Sequence, residues 1–195
     1  MFIFNKLKNL VQCDSGKALF HKRLEGHYSR LYRLAYAWTH NAHLSEDLVQ
    51  DLMLKAMEKR KQLDDLDNLE PWLCKILHNL YIDKLRDDQK WQWVDSVELH
   101  EFPSLEFSGE QHCIENQQHH QLQIALEKLS VEHRTVITLI DLQELSYQQT
   151  AQILNIPEGT VMSRLSRARS HLKQHLTKKH NKSSPGELIA LKGGE

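Results

Sequence analysis

Seven glycines and four prolines in 195 residues leave few places where this chain has to turn sharply. Its three cysteines, Cys13, Cys74 and Cys113, are odd in number and widely scattered. Such a set supplies no disulfide framework and suits a reducing compartment. No apolar run approaches the ~20 residues needed to span a bilayer. The opening Met1-Phe2-Ile3-Phe4 is soon interrupted by Lys6 and Lys8, and it lacks the apolar core and small-residue cleavage site of a secretory signal. The expected compartment is therefore the cytoplasm. Glycine-rich phosphate loops, metal-ligand spacings and nucleophile motifs are missing too, so nothing points to catalysis. His112-Cys113 with His119-His120 matches no common zinc spacing and lies among Gln and Asn, so a polar linker is expected there, with no metal and no cofactor.

What is present is charge, unevenly distributed. The net charge is −1. Residues 1–86 carry 14 basic and 11 acidic side chains, residues 87–118 one basic and eight acidic, and residues 119–195 ten basic and seven acidic. Two mildly basic blocks thus flank an acidic stretch. Between Thr160 and Lys182 there are seven basic residues and no acidic one, an arrangement suited to a polyanion.

Hydrophobic spacing reads as helix throughout both basic blocks. Leu24, Tyr28, Leu31, Leu34, Ala35 and Trp38 form a stripe of helical period. A break at Asn41-Ala42-His43 precedes a helix to about Lys61, for which Ser45 is the expected N-cap, with Glu46 and Asp47 in the first turn. Asp64 to Asp67 reads as a loop, Asn68 as a cap, and Pro71 as a first-turn proline of a helix carrying Trp72, Leu73, Ile76, Leu77 and Leu80. From Asp87 to Gln118 the periodicity fades, apart from local helix near Trp91 to Val94. In the second block Ser130 can cap a helix bearing Val136, Ile137, Leu139 and Ile140. The expectation is all-α: two small helical domains, 1–86 and 119–182, joined by an acidic flexible linker, 87–118, and followed by a disordered tail, 183–195.

The sharpest local signal lies between Ser146 and Arg169. Ser146-Tyr147-Gln148-Gln149 is a capping box, and Asn155-Ile156-Pro157 breaks the helix that it starts. A further helix begins at about Glu158 or Gly159, which completes a helix-turn-helix. Val161, Leu165, Ala168 and Leu172 should face inward, leaving Thr160, Met162, Ser163, Arg164, Ser166, Arg167 and Arg169 to supply hydroxyl and guanidinium groups to DNA. Free backbone N–H groups at Gly159 and Thr160 would suit a phosphate.

The run LSYQQTAQILNIPEGTVMSRLSRARSHLK, Leu145 to Lys173, closely resembles the −35-reading region of extracytoplasmic-function sigma factors. ALEKLSVEHRTVITLIDLQ, Ala125 to Gln143, is similar to the helices that support it. Independently, SEDLVQDLMLKAM, Ser45 to Met57, resembles the helix by which that family docks on RNA polymerase, making Asp47, Gln50 and Asp51 the docking candidates. PWLCKILHNLYIDKLR, Pro71 to Arg86, resembles the −10-reading region. The resemblance implies a flipped-out base held in a short loop near Asn79, with Lys75, Lys84 and Arg86 on the strand backbone. Trp72 and Tyr81 can stack on bases but are expected to pack in the core.

The resemblance implies an alternative sigma factor, not an enzyme. Its partners would be core RNA polymerase, through the clamp coiled coil and the flap, promoter DNA, and the anti-sigma factor that many members have. The competing reading is a stand-alone helix-turn-helix regulator, which leaves the Asp47-Gln50-Asp51 helix without a purpose.

Overall fold

The computed structural model describes residues 15–63, 65–91 and 121–180. Its elements are α1 (Ser15–Thr39), α2 (Ala42–Glu58), two 3-10 turns (Arg60–Gln62 and Leu66–Asn68) and α3 (Leu69–Trp91). After residues 92–120 come α4 (121–127), α5 (Val131–Ile137), a π turn (Thr138–Leu142), α6 (Tyr147–Leu154) and α7 (Glu158–His180). Among the described residues there is no strand. The expected linker interior, the tail and the residues around Cys113 lie outside the described residues.

Helices α1, α2 and α3 pack on one another because each carries one apolar stripe. Phe20, Leu31, Leu34 and Trp38 of α1 meet Val49, Leu52 and Ala56 of α2 and Leu69, Leu73 and Leu77 of α3, all essentially inaccessible to solvent. Each of the Val, Leu and Phe side chains among them contributes about 1.5–3 kcal/mol by leaving water. Cys74 is buried in this core, which pushes its thiol up to about 12 and makes it a packing residue rather than a nucleophile. The second module closes over Val136, Ile137 and Ala151 together with Val161, Leu165 and Ala168, and Leu172 packs against them partly buried, which is the inward stripe expected for α7.

Three local expectations change. The N-cap of α2 is Asn41, whose side chain accepts from Leu44 N at 3.0 Å, not Ser45. Ser45 lies inside the helix, buried, donating to Asn41 O at 2.6 Å and within 2.7 Å of Thr39 Oγ1. It therefore ties the α1–α2 corner, which His40 turns with φ 52°. Where a loop was expected before α3, Leu66–Asn68 forms a 3-10 turn capped by Asp65, whose side chain accepts from Asp67 N. Finally, α3 runs on through Trp91 without a break at Asn79, past the domain end expected at Arg86.

The two modules share a core. Leu139, Leu145 and Ile153 belong by sequence to the second block, yet they pack into the α1–α3 cluster. The π turn makes this possible. Its i→i+5 closure, Gln143 N to Thr138 O at 3.0 Å, widens the helix and points Thr138, Leu139 and Gln143 toward α1. Across that seam Trp38 Nε1 donates to Thr138 Oγ1 at 2.7 Å, and Arg30 donates to Gln143 O at 2.9 Å.

Candidate polymerase and nucleic-acid interfaces

On α2 the side chains divide cleanly. Leu48, Val49, Leu52 and Met53 are buried, while Asp47 and Asp51, one turn apart, are exposed and Gln50 is half-exposed beside them. Leu54 continues this outward ridge at 49% exposure. Two carboxylates, an amide and a leucine within two turns form a patch that a basic partner helix can cover with both ion pairs and apolar contact.

The −10 candidates lie on α3, and here the arrangement departs from expectation. Asn79 sits on the exposed face of a continuous helix rather than in a loop, because Ile76, Leu77, Leu80 and Tyr81 hold the helical stripe through it and no Gly or Pro intervenes. Asn79, Asp83 and Arg86 line one cleft of about 500 Å³, together with Lys55 of α2, Lys59 at its C-cap, and Ile153, Leu154 and Asn155 of the second module. Lys75 and Lys84 are exposed but do not line it. Arg86 lies 3.5 Å from Asp83, an exposed pair that holds it only weakly. Sequence reasoning missed Lys55 and Lys59. Their i, i+4 spacing on the outer face of α2 is the signal that could have found them. Next to Asn79, His78 packs edge-on against Trp38, and burial pushes its imidazole down to about 4. At neutral pH the cationic character of the cleft comes from lysine and arginine alone.

Tyr81 is no platform for a base in this arrangement. It is buried, its ring lies 5.4 Å from that of Trp38, and its hydroxyl donates to Trp38 O at 3.0 Å. Trp72 is half-buried against the same core.

The helix-turn-helix forms as its local chemistry dictates. Ser146 Oγ accepts from Gln149 N at 3.1 Å, and Gln149 Oε1 accepts from Ser146 N at 2.9 Å, so both arms of the capping box are made. Asn155 ends α6 in the left-handed region, φ 53° and ψ 48°, a conformation that asparagine tolerates better than most residues. On α7, Met162, Ser163, Ser166 and Arg167 are exposed along one side, and Thr160 is half-buried. Arg164 is turned inward and pairs with Glu132 at 3.2 Å, so it does not stand with the outward group. Nor is the Thr160 N–H free for a phosphate, since it donates to Pro157 O at 2.9 Å. Arg169 is engaged by Asp141 through two hydrogen bonds, which brace α7 against the π turn.

Comparison with known proteins identifies both modules. Residues 24–92 match the model of Sigma-70 region 2, and residues 119–172 match that of Sigma-70, region 4. Fold and modules together define a sigma-70-type transcription initiation factor. The ECF RNA polymerase sigma factor SigE of Mycolicibacterium smegmatis is 31% identical over 153 residues, 78% of this chain and 59% of that longer protein. The RNA polymerase sigma factor SigV of Bacillus subtilis is 30% identical over 165 residues, 85% of this chain and 95% of the relative. The sigma factor RpoE of Bartonella quintana, solved with the anti-sigma factor NepR, superposes with a TM-score of 0.67 at 29% identity, covering 81% of this chain and 96% of that one. The chain belongs to the extracytoplasmic-function subfamily of RNA polymerase sigma factors. It is an alternative sigma factor, directing promoter-specific transcription.

Proposed function

We propose that this chain works in the cytoplasm purely as a binding subunit, without chemistry of its own, and that its contacts divide among three surfaces. The Asp47, Gln50 and Asp51 ridge of α2 takes the clamp coiled coil of core RNA polymerase. Asn79 on α3, with Lys75, Lys84 and Arg86, takes the −10 element, and the α7 face takes the −35 element, with Thr160, Met162, Ser163, Ser166 and Arg167 on the reading side. Arg164 joins that face only by leaving Glu132. The observation that carries this reading is the pairing of an exposed acid-and-amide ridge on one module with an exposed hydroxyl-and-arginine helix face, set by a complete capping box, on the other. A stand-alone repressor accounts for the second surface but not the first. No helix among the described residues is long and apolar enough to cross a membrane. An anti-sigma factor is a further partner consistent with the RpoE likeness.

In vitro transcription with purified core polymerase and genomic DNA tests the reading. Discrete start sites should appear only when chain and core are both present. Asp51→Lys should lower core affinity in competition while the thermal midpoint stays within a few degrees. Unchanged affinity would remove Asp51 from the docking ridge.

A further inference from the structure

The crossing of α5 and α7 carries a pair of titratable rings that the surfaces described above leave unused. His133 of α5 is half-buried and His171 of α7 is exposed, and their ring centroids lie 5.5 Å apart. Among the described residues no third ligand joins them to make a metal site. Their charged neighbours are chiefly cationic. Arg164 and Arg167 of α7 both act on His133, and the one acid beside it, Glu132, is engaged by Arg164 at 3.2 Å. Burial first, and then His171, Arg167 and Arg164, hold the His133 imidazole below its ordinary value, with Glu132 pulling the other way. The field at this corner therefore favours an anion, and without one it keeps His133 neutral.

Helix geometry says which anion. Ser163, Arg167 and His171 follow one another at i, i+4 and i+8 and form one exposed ridge of α7. From Ser163 to His171 the helix rises ~12 Å, about the width of the major groove. When Ser163 and Arg167 reach base edges, the next turn stands at the groove wall, where the phosphates are. We propose that His133 and His171 together clamp one backbone phosphate at the edge of the −35 element and take up a proton as they do so, which makes promoter affinity depend on pH. The inference rests on the α7 reading above and adds to it a contact made from α5. A phosphate between the rings stabilises the imidazolium form, so the pair holds more protons on DNA than off it. The extra affinity is fully present below the imidazole value of the free protein and is lost as pH rises through the higher value of the bound state. His40 and His78, held down at about 4, stay neutral between pH 6 and pH 8.

The test uses holoenzyme assembled from the full chain and core polymerase, bound to a promoter fragment. Core polymerase titrates too, so each effect is read as the difference between the wild type and the double variant His133→Gln/His171→Gln. From pH 8 to pH 6 the wild type should gain about fivefold more affinity than the double variant. Its slope of log affinity against log salt should steepen by about one unit more, as one further charge meets a phosphate. His171→Lys puts a permanent charge at the exposed end of the clamp and should bind at pH 8 as the wild type does at pH 6. It also serves if the double variant fails to fold. Neutral methylphosphonate, placed at one phosphate after another around the −35 element, should find a position whose loss weakens the wild type but not the double variant. Equal pH profiles and salt slopes in wild type and folded double variant overturn the clamp, as does a His171→Lys protein that keeps the wild-type profile, or a scan with no such position. Arg167→Ala tells the two readings apart. If it lowers all promoters equally, readout by α7 itself fails, whereas a base-specific loss there beside an unaltered pH profile in the double variant sinks the clamp alone.

Discussion

Single residues explain where local rules hold and where they yield. Among the described residues three non-glycine positions, His40, Glu144 and Asn155, adopt positive φ, and each ends a helical segment. At Asn155 the left-handed geometry sets the angle between α6 and α7. Asn155→Gly should therefore be close to neutral, whereas Asn155→Ala should cost about 1 kcal/mol because a Cβ-bearing side chain without Asn's local hydrogen bonding strains there. Urea titration of both variants checks this, and equal stabilities would show that the turn is not under strain. His40 and His78 are a second residue-scale case. Burial, reinforced for His40 by the charge of Arg134, lowers both imidazoles to about 4, and neither ring nitrogen of His40 has a hydrogen-bond partner. In the unfolded chain both titrate near 6.5. Between pH 6.5 and 4 the unfolded state binds more protons, so stability is held above about pH 6.5 and lost as pH falls toward 4. The thermal midpoint should drop between pH 7 and pH 5, and replacing His78 with Phe should flatten part of that drop. An unchanged pH profile in His78→Phe would remove this imidazole from the account.

At the scale of elements, what could be read from sequence followed from the range of the interactions. The helix-turn-helix was legible almost to the residue, because a capping box, a left-handed turn and a stripe of Val161, Leu165 and Ala168 are all settled within a few positions of each other. The Asp47, Gln50 and Asp51 ridge of α2 was legible as a face but the helix was not in its start, since Asn41 and Ser45 are both good caps and only packing against Thr39 decides between them. The loop expected at Asn79 came from resemblance, and the unbroken apolar stripe of α3 overrules it. Arg164 and Arg167 look alike in sequence, and only the tertiary position of Glu132 separates them. That separation is testable. Arg167→Ala should cost ~1–3 kcal/mol at one −35 base pair, whereas Asn79→Ala should leave −35 preference intact and impair opening of the −10 region. Transcription from a library randomised in both elements distinguishes them. If Arg167→Ala lowers every promoter equally, direct readout by α7 is wrong. If Asn79→Ala alters the −35 preference, the placement of the two modules is reversed.

The whole molecule is where sequence reading stopped, since nothing local announces that residues 100 positions apart, such as Trp38 and Thr138, will bond. Leu139, Leu145 and Ile153 carry an ordinary helical pattern, and it gives no hint that their partners are α1 to α3 rather than their own module. Their placement changes the expected thermodynamics. Two modules joined only by a linker would unfold independently, each governed by its own small core. Two modules linked by Leu139, Leu145 and Ile153, which are buried in the cluster of the first, lose that burial together, and their unfolding becomes coupled. Calorimetry of the free full-length chain should thus show one transition in which calorimetric and van't Hoff enthalpies agree. Leu139→Ala removes a fully buried side chain from the shared core and should cost 2–5 kcal/mol. The informative feature is which module feels that loss. Amide exchange should speed up in α1 and α3 as well as in α5 and α6, although the substitution lies in the second module. Acceleration confined to residues 121–180, or two resolved calorimetric transitions in the wild type, would show that the shared core does not couple the modules.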